Sequence, residues 1–499
     1  MTTSVSNGSA AAPLPEEAVA RNPSPPDNKP RAALVHTLAS RFCIILLCAA
    51  IVLSALAYGT VHYWALAVFQ IGACLIIFFW AVDGWRSQHL RFSRNVLQLP
   101  LIGLFLIGLI QLLPLGSASA PATAGILPGA PVTSLSFDPY STRLALVQII
   151  ALTVYFAAAL SFIDSPKRLR LVVRTVVIFG FGLAIFGLVQ SYTSPTKVYW
   201  IRELSQAAPF GPFINRHHFA GYMEMTLGLC LGLIFSGSIE REKRPLYIFA
   251  AVMMAIALVM TNSRGGIISL VAEIFFLVLL TGFGRREVGR ETSDKGARVR
   301  TALVRAGLAL SLVVGLFAGV VLFGGESALS RFVGTVNAED PTTGRAHFWS
   351  TSLKIIQDHP VMGVGLGAFH LAYTRYDTRN GLFRLEQAHN DYLQVLTDAG
   401  ILGALLGLFF IGALFRMGLG RRESTDAFRS GVATGALAGC FAVLVHSFFD
   451  FTLHTTSNAL LFLVLAALAT INGRVELPST GHRRRRRQTI PQPSLPPRI

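Results

Sequence analysis

Charge is scarce in this chain. Of its 499 residues only 14% are charged, while 52% are hydrophobic. An ordinary soluble protein carries about 25% charge, so a water-soluble globule is excluded. Cysteine is scarcer still. The five cysteines, Cys43, Cys48, Cys74, Cys230 and Cys440, all sit inside apolar blocks without metal-ligand spacing. That excludes a disulfide framework and leaves them as small core hydrophobes. Acid is short as well: 26 Asp and Glu stand against 43 Lys and Arg, a net charge of +17. The basic residues cluster in short loops between apolar blocks, so the excess reads as an orientation and lipid signal, with no nucleic-acid partner.

What the chain has instead is long apolar runs. Twelve blocks approach the roughly 20 residues that cross about 30 Å of hydrocarbon: 42–58, 63–82, 97–115, 143–163, 171–191, 218–237, 246–261, 266–283, 303–323, 400–416, 430–450 and 456–472. The fold class they predict is an all-α polytopic membrane protein of about twelve transmembrane helices. Residues 1–41 lack apolar mass and read as a disordered cytoplasmic tail. The block beginning near Phe42 follows a long polar lead and reads as a retained anchor. Spans one to nine then form a membrane domain over 42–323. A large outer loop, 324–399, precedes spans ten to twelve at 400–472, and a basic tail follows at 473–499. With the N-terminus inside, most Lys and Arg fall on inner segments and the short outer connections are almost free of them. Both termini are therefore expected in the cytoplasm. The Arg483–Arg487 run then reads as a topology and lipid signal.

The outer loop has its own pattern. Residues 345–358 read as a short helix with Phe348, Leu353, Ile355 and Ile356 apolar, stopped at His359-Pro360. Gly363, Gly365 and Gly367 make a turn-rich stretch that is no dinucleotide fingerprint, because no strand precedes it. The loop ends in HNDYLQVLTDAGILG. Taken as a helix from about 384 to 399, this stretch puts His389, Tyr392, Leu393, Leu396 and Gly400 on one stripe. A titratable imidazole is thereby placed where a polar loop meets the membrane.

Ionisable groups in or beside a span are functional candidates. Those facing outward are Arg216, His217, His218, Arg264, Arg345 and His389, with Glu224, His446 and Asp450 slightly deeper. His446 and Asp450 are four apart, so a structural ion pair or hydrogen bond between them is expected. Glu273 lies in mid-span and is expected to have a partner on a neighbouring helix. Arginines at the mouth of a helical bundle suit a multiply charged anion, because guanidinium pairs bidentately with phosphate oxygens. An aliphatic tail could lie between spans while its pyrophosphate meets the arginines. A neutral imidazole could take the proton of an attacking sugar hydroxyl. Pyrophosphate leaves readily once its charge is neutralised, so neither a metal nor a cofactor is expected.

These residues carry a resemblance. His389-Asn390, nine residues, then Gly400-Ile-Leu-Gly403 resembles the His-Asn-x9-Gly-x-x-Gly motif of the bacterial O-antigen ligase and polymerase superfamily. GRAHFW with IIQDHPVMGVGLGAF is similar to that family's large loop, and NRHHFAGY and TNSRGG are similar to its arginine segments. The likeness runs over about residues 210–410. It implies an inverting, metal-independent glycosyltransferase at the periplasmic face of the bacterial inner membrane. The implied donor is a glycan on undecaprenyl pyrophosphate. The acceptor would be a growing glycan, a lipid A core or, in a protein O-oligosaccharyltransferase, a protein. His389 with Asn390 would be catalytic, and Arg216, Arg264, Arg345 and His218 would bind substrate. The family's Arg-x3-Leu pattern is not kept: Ala220 follows Arg216 and Ile268 follows Arg264. A reading from another class is a transporter using Glu273, His446 and Asp450 as an ion path. It lacks the two-half symmetry that many transporters show.

Overall fold

The computed structural model describes residues 36–115, 134–204, 207–282, 345–378 and 385–471. The expected ninth span, the expected tail up to residue 35, the first part of the large loop and the basic C-terminal tail lie outside them. Among the described residues, nine helices are long and apolar enough to cross a membrane, and two shorter apolar helices accompany them. The protein is an all-α polytopic membrane protein.

The helices run α1 (Leu38–Leu56), α2 (Tyr63–Ser87), α3 (Gln98–Gln111), α4 (Pro139–Phe162), α5 (Pro166–Thr193), α6 (Arg216–Ser236), α7 (Arg244–Met260) and α8 (Arg264–Gly282). In the large loop come α9 (Arg345–Asp358) and α10 (Phe369–Tyr376), followed by α11 (Asp391–Arg422), α12 (Ala427–His446) and α13 (Thr456–Thr470). Each described helix of membrane length meets one of the expected blocks. Helix α1 begins at Leu38, inside the expected tail, because the Thr37 hydroxyl accepts from the Ser40 N–H and opens the helix there. Helix α9 has the expected bounds; α10 was not anticipated. A two-residue hairpin, Lys197–Val198 with Arg202–Glu203, is the one sheet among the described residues.

The third and twelfth spans emerge as the two short helices, Gln98–Gln111 and Thr456–Thr470. Both ends that fall short are held by protein groups. The Gln111 amide donates to the carbonyls of Met362 and Asp398, tying α3 to the outer loop. The buried Arg429 guanidinium donates to the carbonyls of Leu468, Ala469 and Ile471, satisfying the C-terminus of α13 inside the bundle. Of the cysteines, Cys43, Cys230 and Cys440 are buried as expected, whereas Cys74 is exposed on the apolar face of α2.

Helix α6 is central: nearly its whole length is buried. It packs on α12 through facing glycines. A Cβ on Gly232 would overlap the Gly435 backbone, and one on Gly228 would stand 2.8 Å from the Cα of Gly439. Without lipid-excluded water to drive them together, membrane helices gain by close packing of small residues. This contact fixes the C-terminal end of α12 against the N-terminal end of α6.

The HN-x9-GxxG stretch departs from its expected form. The helix starts at Asp391, with Asn390 as its N-cap. His389 stands before the helix with φ +51°. The reason is local: the Asn390 side-chain oxygen accepts from the N–H groups of Tyr392 and Leu393, so the chain turns there. Gly400 interrupts α11 with φ 63° and ψ −160°. The freed donors of Ile401 and Leu402 bond the carbonyls of Pro360 and Val361. A Cβ at Gly400 would overlap the Val361 carbonyl. The glycine of the motif is thus where the loop after α9 docks into a broken helix.

Replacing Gly435 by Val should wedge α6 from α12 and cost about 3 kcal/mol, seen as a large fall in Tm of the detergent-solubilised protein. Gly412→Ala, where nothing lies within 4 Å of the new Cβ, should leave Tm unchanged.

Candidate active site

Five pieces of chain meet at one end of the bundle. They are the N-terminus of α6, the α7–α8 turn, the start of α9, the residues before α11, and the stretch after α12. Asp450 is their meeting point. Its side chain is 1% exposed. Oδ1 accepts from His389 Nδ1 at 3.2 Å, and Oδ2 accepts from Arg345 Nη2 at 3.2 Å. His217 Nδ1 stands 3.8 Å from Oδ2. Burial pushes the Asp450 carboxyl up, but the hydrogen bond from His389 and the neighbouring His217 more than reverse this and hold it well below the usual carboxylate range.

The His389 ring, with its side chain 27% exposed, is held on two sides. It stacks on Phe348 of α9 at 5.8 Å and meets Phe451 edge-on at 4.8 Å. Asn390, grouped with His389 in the sequence reading, spends its amide oxygen on the helix cap and its Nδ2 on the Phe448 carbonyl at 3.1 Å. It positions His389 and is itself 8% exposed. Asp391 ties the same turn to the opposite loop: it accepts from the Ser447 hydroxyl and the Leu453 N–H, and pairs with His454 Nδ1 at 2.6 Å.

A second set lies behind Asp450. Ser263 Oγ is 2.7 Å from His217 Nδ1 and 3.4 Å from His446 Nε2, and it accepts from the Gly266 N–H at 3.2 Å. His446 Nδ1 is 2.8 Å from Glu224 Oε1, both side chains fully buried. The expected bond between His446 and Asp450 is therefore not the arrangement found. The turn after α12 carries Asp450 toward the loop, while His446, at the helix end, faces α6. Glu273 corrects a further expectation. Among the described residues neither of its buried carboxylate oxygens has a hydrogen-bond partner, and Oε1 lies against Gly228. The tight glycine contact there leaves no side chain to meet it.

Of the other expected residues, Arg345 is in the cluster. Arg216 and Arg264 are the first residues of α6 and α8, so both stand at helix N-termini, where the backbone field favours anions. Arg264 is exposed and Arg216 half-buried. His218 differs from expectation: it is buried, its ring against Phe451 at 4.8 Å, with Nε2 unbonded. It underlies the cleft because the next residue on the helix, one position past His217, turns inward. Asp450, Ser263 and Phe348 were not placed in the site from sequence. Asp450 had a signal, as a carboxylate at a span end; Ser263 had none beyond its neighbour Arg264.

With this geometry in view, the comparisons give the class. Residues 249–408 match the family model described as O-antigen ligase. That range holds Arg264, Arg345, His389, Asn390 and the Gly400–Gly403 pair; His217, His446 and Asp450 fall outside it. The chain thus carries a region similar to the O-antigen ligase family on a multi-pass membrane fold. The match supports, in general terms, a function of the ligase or polymerase type in polysaccharide biosynthesis. No curated protein matches the chain.

The Asp391–His454 pair has a readable pH signature. Burial pushes His454 down, and the hydrogen bond and charge of Asp391 outweigh this and raise it above its ordinary 6.5. A raised folded value gives stability that is complete below the unfolded value and is lost as pH rises through the folded one. Tm should therefore fall as pH climbs above about 6.5. Asp391→Asn should flatten that part of the curve, and an unchanged slope would contradict the pairing.

Proposed function

We propose that the protein transfers or polymerises glycan carried on undecaprenyl pyrophosphate at the periplasmic face of the bacterial inner membrane. The observation that carries this reading is the His389–Asp450–Arg345 cluster at the mouth of the bundle. Asp450 orients the His389 ring through Nδ1 and leaves Nε2 for an acceptor hydroxyl. His389 acts as general base on that hydroxyl. The acceptor oxygen attacks the anomeric carbon while the bond to pyrophosphate breaks on the opposite face, which inverts the configuration. The electron pair leaves with the pyrophosphate.

Arg216 and Arg264, at the starts of α6 and α8, neutralise the pyrophosphate, helped by the two helix N-termini. Arg345 is bonded to Asp450 and keeps its remaining donors for substrate oxygens. His218 serves from beneath, by holding Phe451 under the His389 ring. On this reading residues 324–399 are a periplasmic loop, both termini are cytoplasmic, and 1–41 and 473–499 are cytoplasmic tails. The lipid tail of the donor lies among the spans and the glycan in the cleft.

The test is reconstitution of purified protein with a polyprenyl-pyrophosphate glycan and candidate acceptors, scored for covalent product. His389→Ala should express and fold like the parent and lose on the order of 10²- to 10⁴-fold in rate. Arg264→Ala should abolish detectable transfer with expression intact. Substrate movement without any covalent product would favour a transporter and reject the assignment.

A further inference from the structure

Behind the outer cleft runs an unbroken line of proton-exchanging groups that the reaction scheme above does not use. It starts at His217, passes Ser263 and His446, and ends on Glu224. Resting on that scheme, the geometry points to His217 as a second catalytic residue, a general acid toward the departing pyrophosphate, recharged with protons from Glu224 through His446 and Ser263.

The hydrogen-bond inventory of Ser263 makes the line two-way. A hydroxyl has one donor and two acceptor sites. One acceptor site is taken by the Gly266 N–H. The hydroxyl proton can go to only one of the two histidines, and the other histidine must donate. In one state Glu224 holds a proton toward His446 Nδ1, His446 Nε2–H donates to Ser263, and Ser263 donates to His217 Nδ1. In the other, His217 Nδ1–H donates to Ser263, Ser263 donates to His446 Nε2, and His446 Nδ1–H donates to the Glu224 carboxylate. Passing from the first state to the second moves one proton from Glu224 to His217 by three short transfers. All three links exist: 2.8, 3.4 and 2.7 Å.

The two ends suit their tasks. His217 has its side chain 21% exposed and its Nε2 is the nitrogen not engaged by Ser263 or Asp450. Glu224 is fully buried, and its Oε2 has no hydrogen-bond partner, so the terminus exchanges protons along the line and not with water. The proton balance closes. The acceptor O–H bond breaks and its proton goes to His389. The anomeric carbon gains the acceptor oxygen and loses the pyrophosphate oxygen, which takes the electron pair and then a proton from His217 Nε2. After product leaves, His389 gives its proton to solvent, the partly exposed His217 Nε2 takes one from solvent, and the reverse passage returns the Nδ1 proton to Glu224. The charged and titratable groups around the line, among the described residues, are Asp450, Arg216 and Arg345 near His217, Asp450 and Asp391 near His446, and Glu273 of α8 near Glu224.

The test uses full-length protein in the transfer assay, with Glu224→Gln, Ser263→Ala and Ser263→Thr. A general acid must be protonated to work, so the parent should lose activity as pH rises. Glu224→Gln and Ser263→Ala should lower kcat on the order of 10²-fold, leave the KM for donor near the parent value, and remove the alkaline limb of the pH–rate profile. Ser263→Thr keeps the hydroxyl and should restore kcat and the limb. A purely structural role would instead lower Tm and leave the shape of the profile intact. The inference is overturned if Ser263→Thr is as impaired as Ser263→Ala, or if the alkaline limb survives in Ser263→Ala. The Ser263 pair decides the matter even if Glu224→Gln does not fold. Should His389→Ala retain full transfer, the underlying scheme fails and this inference with it; loss in His389→Ala with parent-like Ser263→Ala overturns the relay alone.

Discussion

A buried carboxylate must be compensated or it will not stay charged, and Asp450 meets that requirement by drawing three separate stretches of chain to itself. Almost no water reaches it, so donors have to come from protein. His389 arrives from the end of the large loop, Arg345 from the start of α9, and His217 from the start of α6. The ion cluster holds the loop to the membrane bundle and, in doing so, sets the ring that the proposed chemistry needs. Losing either His389 or Arg345 leaves Asp450 one close donor, whereas losing both would strand a buried charge.

The framework under the cluster is rigid for a different reason. Helices α6 and α12 touch through glycines, so their backbones cannot slide or rotate without overlap. That contact presents His446 to Glu224 and sets the height of Asp450 above them. It also leaves the Glu273 oxygens beside bare backbone, without a hydrogen-bond partner among the described residues. In the outer loop the same economy of side chains appears at Gly400. The broken helix hands two donors to the Pro360–Val361 segment, which places α9, and with it Arg345 and Phe348, over His389.

Much of this could be read from residues alone. Apolar run lengths determine the membrane spans, because hydrocarbon thickness imposes a minimum length that few other constraints mimic. Helix α9 was legible from its apolar spacing and the His-Pro stop. Arg345 and His389 were recognisable as chemistry because a charged or titratable group beside a span is expensive unless used. The misreadings share one cause. His389 was assigned to a helix because spacing of three and four looks helical, yet a capping Asn one residue later ends that pattern. His446 and Asp450 look like partners at four apart, but the helix ends between them and their side chains diverge.

The sequence by itself determined the class of protein, the number and order of its apolar blocks, and the residue types able to hold an anion and move a proton. Those follow from composition and local spacing, which each short stretch carries within itself. Tertiary structure alone decided that Asp450 is the hub, that Asn390 caps the helix after His389, that His218 lies buried against Phe451, and that Ser263 joins two histidines. Each of these depends on which groups from distant segments come within about 3 Å of one another. Such distances are set by how helices pack, and no stretch of chain holds that information alone.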